Sequence, residues 1–509
     1  MPTPDGFVSC RFTITIPRDK LRVWSLDEPW LYQVQVKILR GSNLVDAVKR
    51  QFGMRSFVQS DTSIPKGRFY LNGKEIKLRG ANMMGNIMQC VIRKNFNQLR
   101  DDILLAKIAN MTFWRMTQQP CQPEAYDYFD KLGLLAQTDM PLFVNIRKDQ
   151  AEECHRQLGE MVRLVRGHPC NAVISYMNEP GSRAASLSNG EVVAAFQRWD
   201  ATVAASNPGQ VVKWVDGDYE NLSRTYSDHH VYDTWYGNSI RGQYQGSWSA
   251  SRAGWMHGCG EFGAEGLDSI PLMKKYYPQE WLTPDAKGNW DPGRIPRCQS
   301  TTTGKKWLGN PRTMEEWVEI SRQHQYWGTR LYTETLRRDH KMNSFGIHLL
   351  IDAWPAGWLK SIMDCDRQAK PAYFAYRDAL APLAANLQLE QSYVFSGDRI
   401  RLRAWICNDT PEVPAGAMIR YQVELGGKVI QTGTAPAKVE ASNPAFQGRI
   451  VVIAPDVTGR QPLTVRLGIF GADGKLIHDT AFDIDLFPAS EKGKKLANPG
   501  GQIRKLIGS

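Results

Sequence analysis

Two glutamates stand in surroundings suited to proton transfer and nucleophilic attack at a single carbon centre. Glu179 closes the stretch Asn171 to Pro180 (NAVISYMNEP), in which Ala172, Val173, Ile174, Tyr176 and Met177 form an apolar run. Such a run reads as a buried parallel strand. Pro180 ends it, because proline cannot donate to a sheet ladder and keeps the residue before it out of helical geometry. The carboxyl group of Glu179 is thereby delivered to the C-terminal end of a strand, facing a cavity, where barrel enzymes keep their chemistry. Glu261 lies in a second stretch, Gly254 to Gly266 (GWMHGCGEFGAEG), among small residues that let a ligand come close. A carboxylate pair on two strand ends is the minimum equipment for cleaving a glycosidic bond.

The elements that must hold these groups can be read along the chain. The N-terminal part alternates in strand fashion through FVSCRFTITI, LYQVQVKIL and VKRQFGMRSF. Three such strands rarely stand alone, so residues 1–60 are expected to be a partial β-sandwich. Arg68 to Arg79 contains a hairpin with an Asn72-Gly73 turn. Strands and helices then alternate: IKLRGANMM, MTFWRMT, LLAQTDMP, NAVISYMNEP, VVKWVDGD, DHHVYDTWY, GWMHGCGEF and SFGIHLLIDAW, with helical periodicity between them, as in Leu158, Met161, Val162 and Val165. Eight such units over residues 61–385 predict an α/β protein with a (β/α)8 TIM barrel. The alternative, an open doubly wound sheet, lacks its G-x-G-x-x-G phosphate fingerprint. Residues 386–488 revert to short alternating strands with Gly426-Gly427 and Asp473-Gly474 turns, a second β-sandwich, and residues 489–509 read as a linker or tail.

Composition narrows the function classes. The net charge of +11 is scattered without a Lys/Arg-rich run, which fits a solvated basic surface and no nucleic-acid partner. Nine cysteines, widely spread and without a C-x-x-C pair, point to free thiols and neither a disulfide framework nor a zinc site. No window reaches the ~18 apolar residues of a membrane span, so no membrane partner is expected. The 16 Trp and 18 Tyr supply flat faces on which sugar rings stack. Asp216 and Asp218, after the fifth strand, are candidates for substrate contact. His229 and His230 read as ligands of sugar hydroxyls or as core residues, since no carboxylate-rich cluster at ligand spacing accompanies them in sequence, and no metal or other cofactor is expected. Trp354 reads equally as a floor for a sugar ring or a core residue, and Glu265 as a loop anchor.

In this order the motifs resemble glycoside hydrolase family 2, of the retaining clan A, over most of residues 20 to 385. Asn178-Glu179-Pro180 is similar to the family's acid/base motif after strand four, and Gly260-Glu261-Phe262-Gly263 to its nucleophile pattern after strand seven. Phe52-Gly53-Met54-Arg55 is similar to the F-G-x-R that ends the family's immunoglobulin-like domain, and Phe69 to Gly80 to its F-x-L-N-G-x-x-x-x-L-R-G lead into the barrel. The resemblance implies a barrel flanked by immunoglobulin-like β-sandwich domains and a double displacement with catalytic Glu179 and Glu261. The substrate contacts it leaves to the neighbouring residues are expected from Arg115, Asn178, His230, Trp235, Tyr236, Trp354 and Asp216. Arg115 should keep Glu261 ionised, a tyrosine such as Tyr236 should hydrogen-bond it, and Asn178 should meet the sugar 2-OH. Burial beside Tyr176 and the charge of Glu261 should raise the pKa of Glu179.

The departures from the family set further expectations. The family's R-x-x-H-Y-P stands here as Arg115 to Pro120 without the His. The glucuronidase N-x-K after strand eight is missing, whereas Leu350 to Pro355 and Asp228 to Tyr232 look more like the β-mannosidase and exo-glucosaminidase branch. A neutral or 2-substituted β-hexoside is therefore expected ahead of a β-glucuronide. No jelly-roll domain precedes the immunoglobulin-like segment, so a separate N-terminal domain or a second copy of the chain is expected as partner. The location is periplasmic or secreted given an upstream signal, and otherwise cytoplasmic. A carbohydrate-binding protein on a degenerate barrel is the alternative; both glutamates being present speaks against it. A metal-dependent hydrolase would want His-x-His after strand one, where Ala81-Asn82-Met83 stands.

Overall fold

The computed structural model describes residues 12–181, 183–247 and 252–508. The chain opens with an antiparallel hairpin, β1 (Tyr32–Arg40) and β2 (Asn43–Phe52), most of whose residues are exposed. Of the first expected strand, residues 7–11 lie outside the described residues and residues 12–16 are not in a strand. A small sheet follows, made by β3 (Phe57–Gln59), β4 (Phe69–Leu71) and β5 (Lys74–Ile76). Leu71 faces Lys74 across the two-residue turn, and Asn72 and Gly73 both take positive φ (51° and 81°), the geometry that Asn-Gly favours.

Eight parallel strands come next: β6 (Leu78–Met83), β7 (Phe113–Met116), β8 (Leu135–Asp139), β9 (Asn171–Asn178), β10 (Val211–Asp216), β11 (Ser227–His230), β12 (His257–Phe262) and β13 (Met342–Ile347). Their order, β10-β9-β8-β7-β6-β13-β12-β11, curls the sheet round until its two edge strands are the sequence neighbours β10 and β11. Polar contacts close this seam. The Asp218 N–H donates to the Asp228 carbonyl at 2.8 Å, and the buried Lys213 ammonium reaches Asp216 at 2.5 Å and Asp228 at 3.0 Å. All eight expected barrel strands are present.

Helices cover the outside, with one difference from the expected alternation: residues 217–226, between β10 and β11, contain no helix. The longest helix, Met314–Arg338, starts from a Thr313–Glu316 capping box and lies between β12 and β13. Beyond helix Pro371–Ala379, two sheets face each other. One is β14 (Leu383–Leu389), β16 (Arg399–Asn408) and β19 (Pro444–Ile453); the other is β15 (Tyr393–Phe395), β21 (Leu476–Phe487), β20 (Gln461–Phe470), β17 (Met418–Leu425) and β18 (Lys428–Pro436). Alternate residues such as Ile400, Leu402, Leu463, Val465, Phe482 and Ile484 fill the space between them. Instead of trailing off as a linker, residues 501–507 form a helix with Gln502, Ile503, Leu506 and Ile507 buried. The eight described cysteines are free, and no helix among the described residues is long and apolar enough to cross a membrane.

The sandwich is fastened to the bottom of the barrel by Asp409. It accepts from Arg79 of β6 at 3.1 and 3.2 Å and pairs with Arg337 at 3.1 Å. Burial works against its charge, but the two guanidinium groups hold its pKa below the usual carboxylate range. Its contribution to stability is therefore present at neutral pH and lost on acidification. Asp409→Ala leaves two buried cations without their partner and should cost ~3–5 kcal/mol. Urea denaturation at pH 7 followed by circular dichroism should show the loss, and a midpoint unchanged from the parent's would contradict this role.

Candidate active site

The C-terminal ends of the barrel strands bring Glu179 and Glu261 together. Glu179 follows β9 in left-handed geometry (φ 49°), unusual for a residue other than glycine, and its N–H donates to the Asp216 carbonyl at 2.7 Å. This conformation turns its carboxyl group inward, where 27% of the side chain stays exposed. Glu261, in β12, is buried. His230, at the end of β11, stands between them: Nδ1 is 2.6 Å from Glu179 Oε1 and 3.6 Å from Glu261 Oε2. Burial disfavours the charged imidazole, but the charge of Glu261 and the hydrogen bond to Glu179 outweigh it and raise its pKa.

Arg115, from β7, is the positive centre of the site. Its Nη1 donates to Glu261 at 2.8 Å and to Asn82 at 3.1 Å, Nη2 to Asn178 Oδ1 at 2.5 Å, and Nε to Asp139 at 2.8 Å. Glu261 also accepts from the Tyr232 hydroxyl at 2.6 Å. Burial alone would favour its neutral form. The positive charge of His230 and Arg115, with the Tyr232 hydrogen bond, instead holds its carboxyl well below the usual range. Glu261 is thus ionised at neutral pH. The hydrogen bond expected from Tyr236 comes from Tyr232, four residues earlier on the same loop.

Other expected residues are placed differently. Asp216 is fully buried and is bound by Ser175, Gln137 and Lys213, so its carboxylate is engaged in ordering the strand ends. Asp218 accepts from the N–H groups of Leu222 and Ser223 and shapes a loop. Trp235 is buried, its indole N–H on Gln299 at 2.7 Å, and serves as core. Tyr236 is 47% exposed; its hydroxyl donates to Gln299 at 3.1 Å and accepts from Lys360 at 2.6 Å. Tyr176 points to the helix side of β9, packing on Phe196 and Trp199 and donating to Asp200, so His230 and not Tyr176 is the neighbour of Glu179. The glycines around Glu261 serve packing: a methyl group on Gly260 would come within 2.5 Å of an Asp228 carboxylate oxygen. His230, which in sequence has no carboxylate cluster beside it, is surrounded by Glu179, Glu261, Asp216 and Asp228. These groups bond one another and the site's cations.

A cavity of about 590 Å³ is lined by Gln119, Arg297, Gln299, Trp354, Trp358 and Lys360 among others; it meets the site through Lys360, whose ammonium lies over the Tyr232 ring, and neither Glu179 nor Glu261 is on its lining. Trp354 and Trp358 are 49% and 38% exposed, so their faces are open to a ligand. His348, after β13, packs edge-on against Trp358 and Tyr232, and burial pushes its pKa down to about 4, so it is a neutral imidazole. Glu265 accepts from the Gln299 N–H and Ser300, an anchor for the 297–300 loop as expected, and burial pushes its pKa up to about 7. Tyr232, His348 and Lys360 escaped the sequence reading. Tyr232 could have been found from its place two residues after His230 on the same strand end.

Residues 6–55 match the family model described as Glycosyl hydrolases family 2. Over 163 residues the chain is 28% identical to a β-galactosidase of Thermoanaerobacter pseudethanolicus, a match covering 30% of this chain and 21% of that protein. A β-D-mannosidase from Dictyoglomus thermophilum superposes with a TM-score of 0.70 at 17% identity, over 91% of this chain and 58% of that one. The exo-chitosanase CsxA of Amycolatopsis orientalis does so at 0.66 and 15%, over 91% and 55%. The chain spans little more than half the length of these structures, and at such identities the likeness is one of fold.

Removing the Tyr232 hydroxyl takes one stabilising hydrogen bond from the Glu261 carboxylate. In Tyr232→Phe the titration of Glu261, followed by ¹³C NMR of labelled glutamate, should move upward from its position in the parent, by about one pH unit. No movement would contradict the assignment of this bond.

Proposed function

We propose that the chain belongs to glycosyl hydrolases family 2 and is a retaining exo-acting β-glycosidase working by double displacement. The observation that carries the reading is the closeness of Glu179 and Glu261, whose nearest oxygens, with His230 between them, lie within 4.8 Å. Carboxyl groups ~5–5.5 Å apart suit attack by one of them, whereas inverting enzymes keep ~6.5–9.5 Å to admit a water. Glu261, kept ionised by His230, Arg115 and Tyr232, attacks the anomeric carbon. Glu179, reachable from solvent, gives its proton to the leaving oxygen. A water then loses its proton to Glu179 and attacks the same carbon, releasing Glu261 and the sugar with its configuration retained. Asn178, its oxygen held by Arg115, presents its amide nitrogen to the sugar 2-OH. The substrate class is terminal β-linked sugars of oligo- or polysaccharides.

Glu261→Gln should lower turnover of nitrophenyl β-glycosides by roughly 10⁴-fold or more, the scale on which a deleted catalytic group acts. Azide should restore activity to Glu179→Ala on an activated substrate, giving the β-glycosyl azide, and should not do so with retention for Glu261→Ala. Equal rescue of both, or an active Glu261→Gln, would sink the assignment.

For the terminal sugar, the open faces of Trp354 and Trp358 support a neutral or 2-substituted hexoside. Lys360 favours a second reading. Its ammonium is buried beside the cavity, with Arg297 on the lining, and either could pair with an anionic sugar substituent. Lys360 is already engaged by the Tyr236 hydroxyl and lies over the Tyr232 and Tyr236 rings, which supports a structural use of its charge. Across a panel of β-glycosides, kcat/KM for the glucuronide should fall at least about tenfold below the best neutral hexoside, ~1.4 kcal/mol of transition-state discrimination. A glucuronide preference that disappears in Lys360→Met would establish the second reading.

A further inference from the structure

The C-terminal helix, Gly501–Ile507, reaches the cavity through a series of directional bonds. Leu506 presents its carbonyl to the Ile240 N–H at 2.8 Å, and Lys505 Nζ donates to the Trp307 carbonyl at 2.7 Å. The Trp307 indole donates to the Trp235 carbonyl at 2.8 Å, and the Trp235 indole donates to Gln299 Oε1 at 2.7 Å. That same oxygen receives the Tyr236 hydroxyl at 3.1 Å, and the Tyr236 oxygen in turn receives Lys360 Nζ at 2.6 Å. Tyr236 packs edge-on against Tyr232, the residue hydrogen-bonded to Glu261. Residues 231–240 contain no helix or strand; a turn in which the Trp235 and Tyr236 N–H groups donate to the Tyr232 carbonyl at 2.8 and 2.7 Å shapes the segment without tying it to its surroundings. What fixes them is the packing behind: Trp235 and Trp307 are buried, His324 stacks on Trp307 and its ring nitrogen is bonded to the Thr234 carbonyl, and the C-terminal helix, with Leu506 and Ile507 buried, joins this layer where Gln502 Nε2 and Lys505 Nζ both donate to the Trp307 carbonyl. On its other side the helix is anchored to the sandwich, where the Gly500 N–H donates to Asp485 at 2.7 Å.

We infer that the C-terminal helix is a positioning element of the active site, whose docking holds the Tyr232–Ile240 loop and, through Trp307, Trp235 and Gln299, sets Tyr236 and Lys360 against the sugar. This rests on the glycosidase reading for its kinetic consequence and on the geometry alone for its structural one. The helix meets no substrate atom. Its loss should loosen the wall of the sugar site and leave the Glu179–Glu261 pair, carried by β9 and β12, in place.

The test compares the full chain with Leu506→Ala, Lys505→Met and Lys505→Arg, by hydrogen exchange and by steady-state kinetics on the best β-glycoside of the panel. Leu506→Ala should speed amide exchange about tenfold or more in residues 232–245, with β7 to β9 unchanged. KM should rise about fivefold in Leu506→Ala and in Lys505→Met with kcat within about twofold, and Lys505→Arg, which keeps the donor, should restore it. Faster exchange confined to residues 501–508, or a fall in kcat at unchanged KM, would overturn the inference. If the parent chain turns over no β-glycoside, the glycosidase reading fails, and the exchange at residues 232–245 alone decides whether the helix holds the loop.

Discussion

A guanidinium group sealed inside the mouth of the barrel is the constraint around which the strand ends are arranged. Arg115 is 1% exposed, and taking its charge out of water is costly unless every donor finds a partner. Its partners come from four other strands: Asn82 on β6, Asp139 on β8, Asn178 on β9 and Glu261 on β12. No single loop could supply them, so the bonds that neutralise Arg115 also fix the relative heights of the strands. Behind this layer Asp216, held low by Arg115 and Lys213 against the effect of burial, carries negative charge. Burial and that neighbour push Asp139 upward. Glu261 owes its ionised state to the same centre.

The two glutamates are consequently made unlike by their surroundings. Glu261 is buried among cations and a tyrosine hydroxyl; Glu179 stands at the open edge, held by one histidine. In the proposed mechanism this difference in surroundings gives Glu261 the part of nucleophile and Glu179 that of proton donor. His230 couples them, since a single nitrogen lies within reach of both carboxylates. Any change in the charge of one is felt by the other through this ring. Farther out, the chain uses the same device at its base, where Asp409 ties the sandwich to the barrel through two arginines.

The barrel was legible because strands such as β9 are near-continuous apolar runs, a pattern that burial on both faces imposes, and because helical periodicity alternates with eight short strand-like segments. Glu179 was legible as a polar residue closing such a run, and Glu261 from the small residues around it. The site's other residues were less so. Asp216 and Trp235 are polar and aromatic residues next to strand ends, as substrate contacts often are, yet they face inward or backward, a direction that local sequence does not encode. Tyr232 and Tyr236 are four apart on an irregular loop, and only its path decides which hydroxyl meets Glu261. Lys360 was passed over because the pattern sought an asparagine two residues before it, where Trp358 stands. The C-terminal helix was missed because Gly500, Gly501 and the lysines before them read as a linker, while the three apolar residues that bury it, Ile503, Leu506 and Ile507, make too short a pattern to notice. The absent helix between β10 and β11 could be inferred only from the spacing of those strands.

The central claim is that Glu261, held ionised at neutral pH by Arg115 and its neighbours, forms the covalent bond to the sugar. Trapping tests it most directly: incubation with a 2-deoxy-2-fluoro β-glycosyl fluoride of the preferred sugar slows release of the intermediate, and mass spectrometry of the digested protein locates the label. The account predicts one sugar per chain, carried on the peptide at Glu261 and absent from Glu261→Gln. A label on Glu179 or elsewhere, or steady turnover of the same sugar with inverted product and no trapped species, would contradict it.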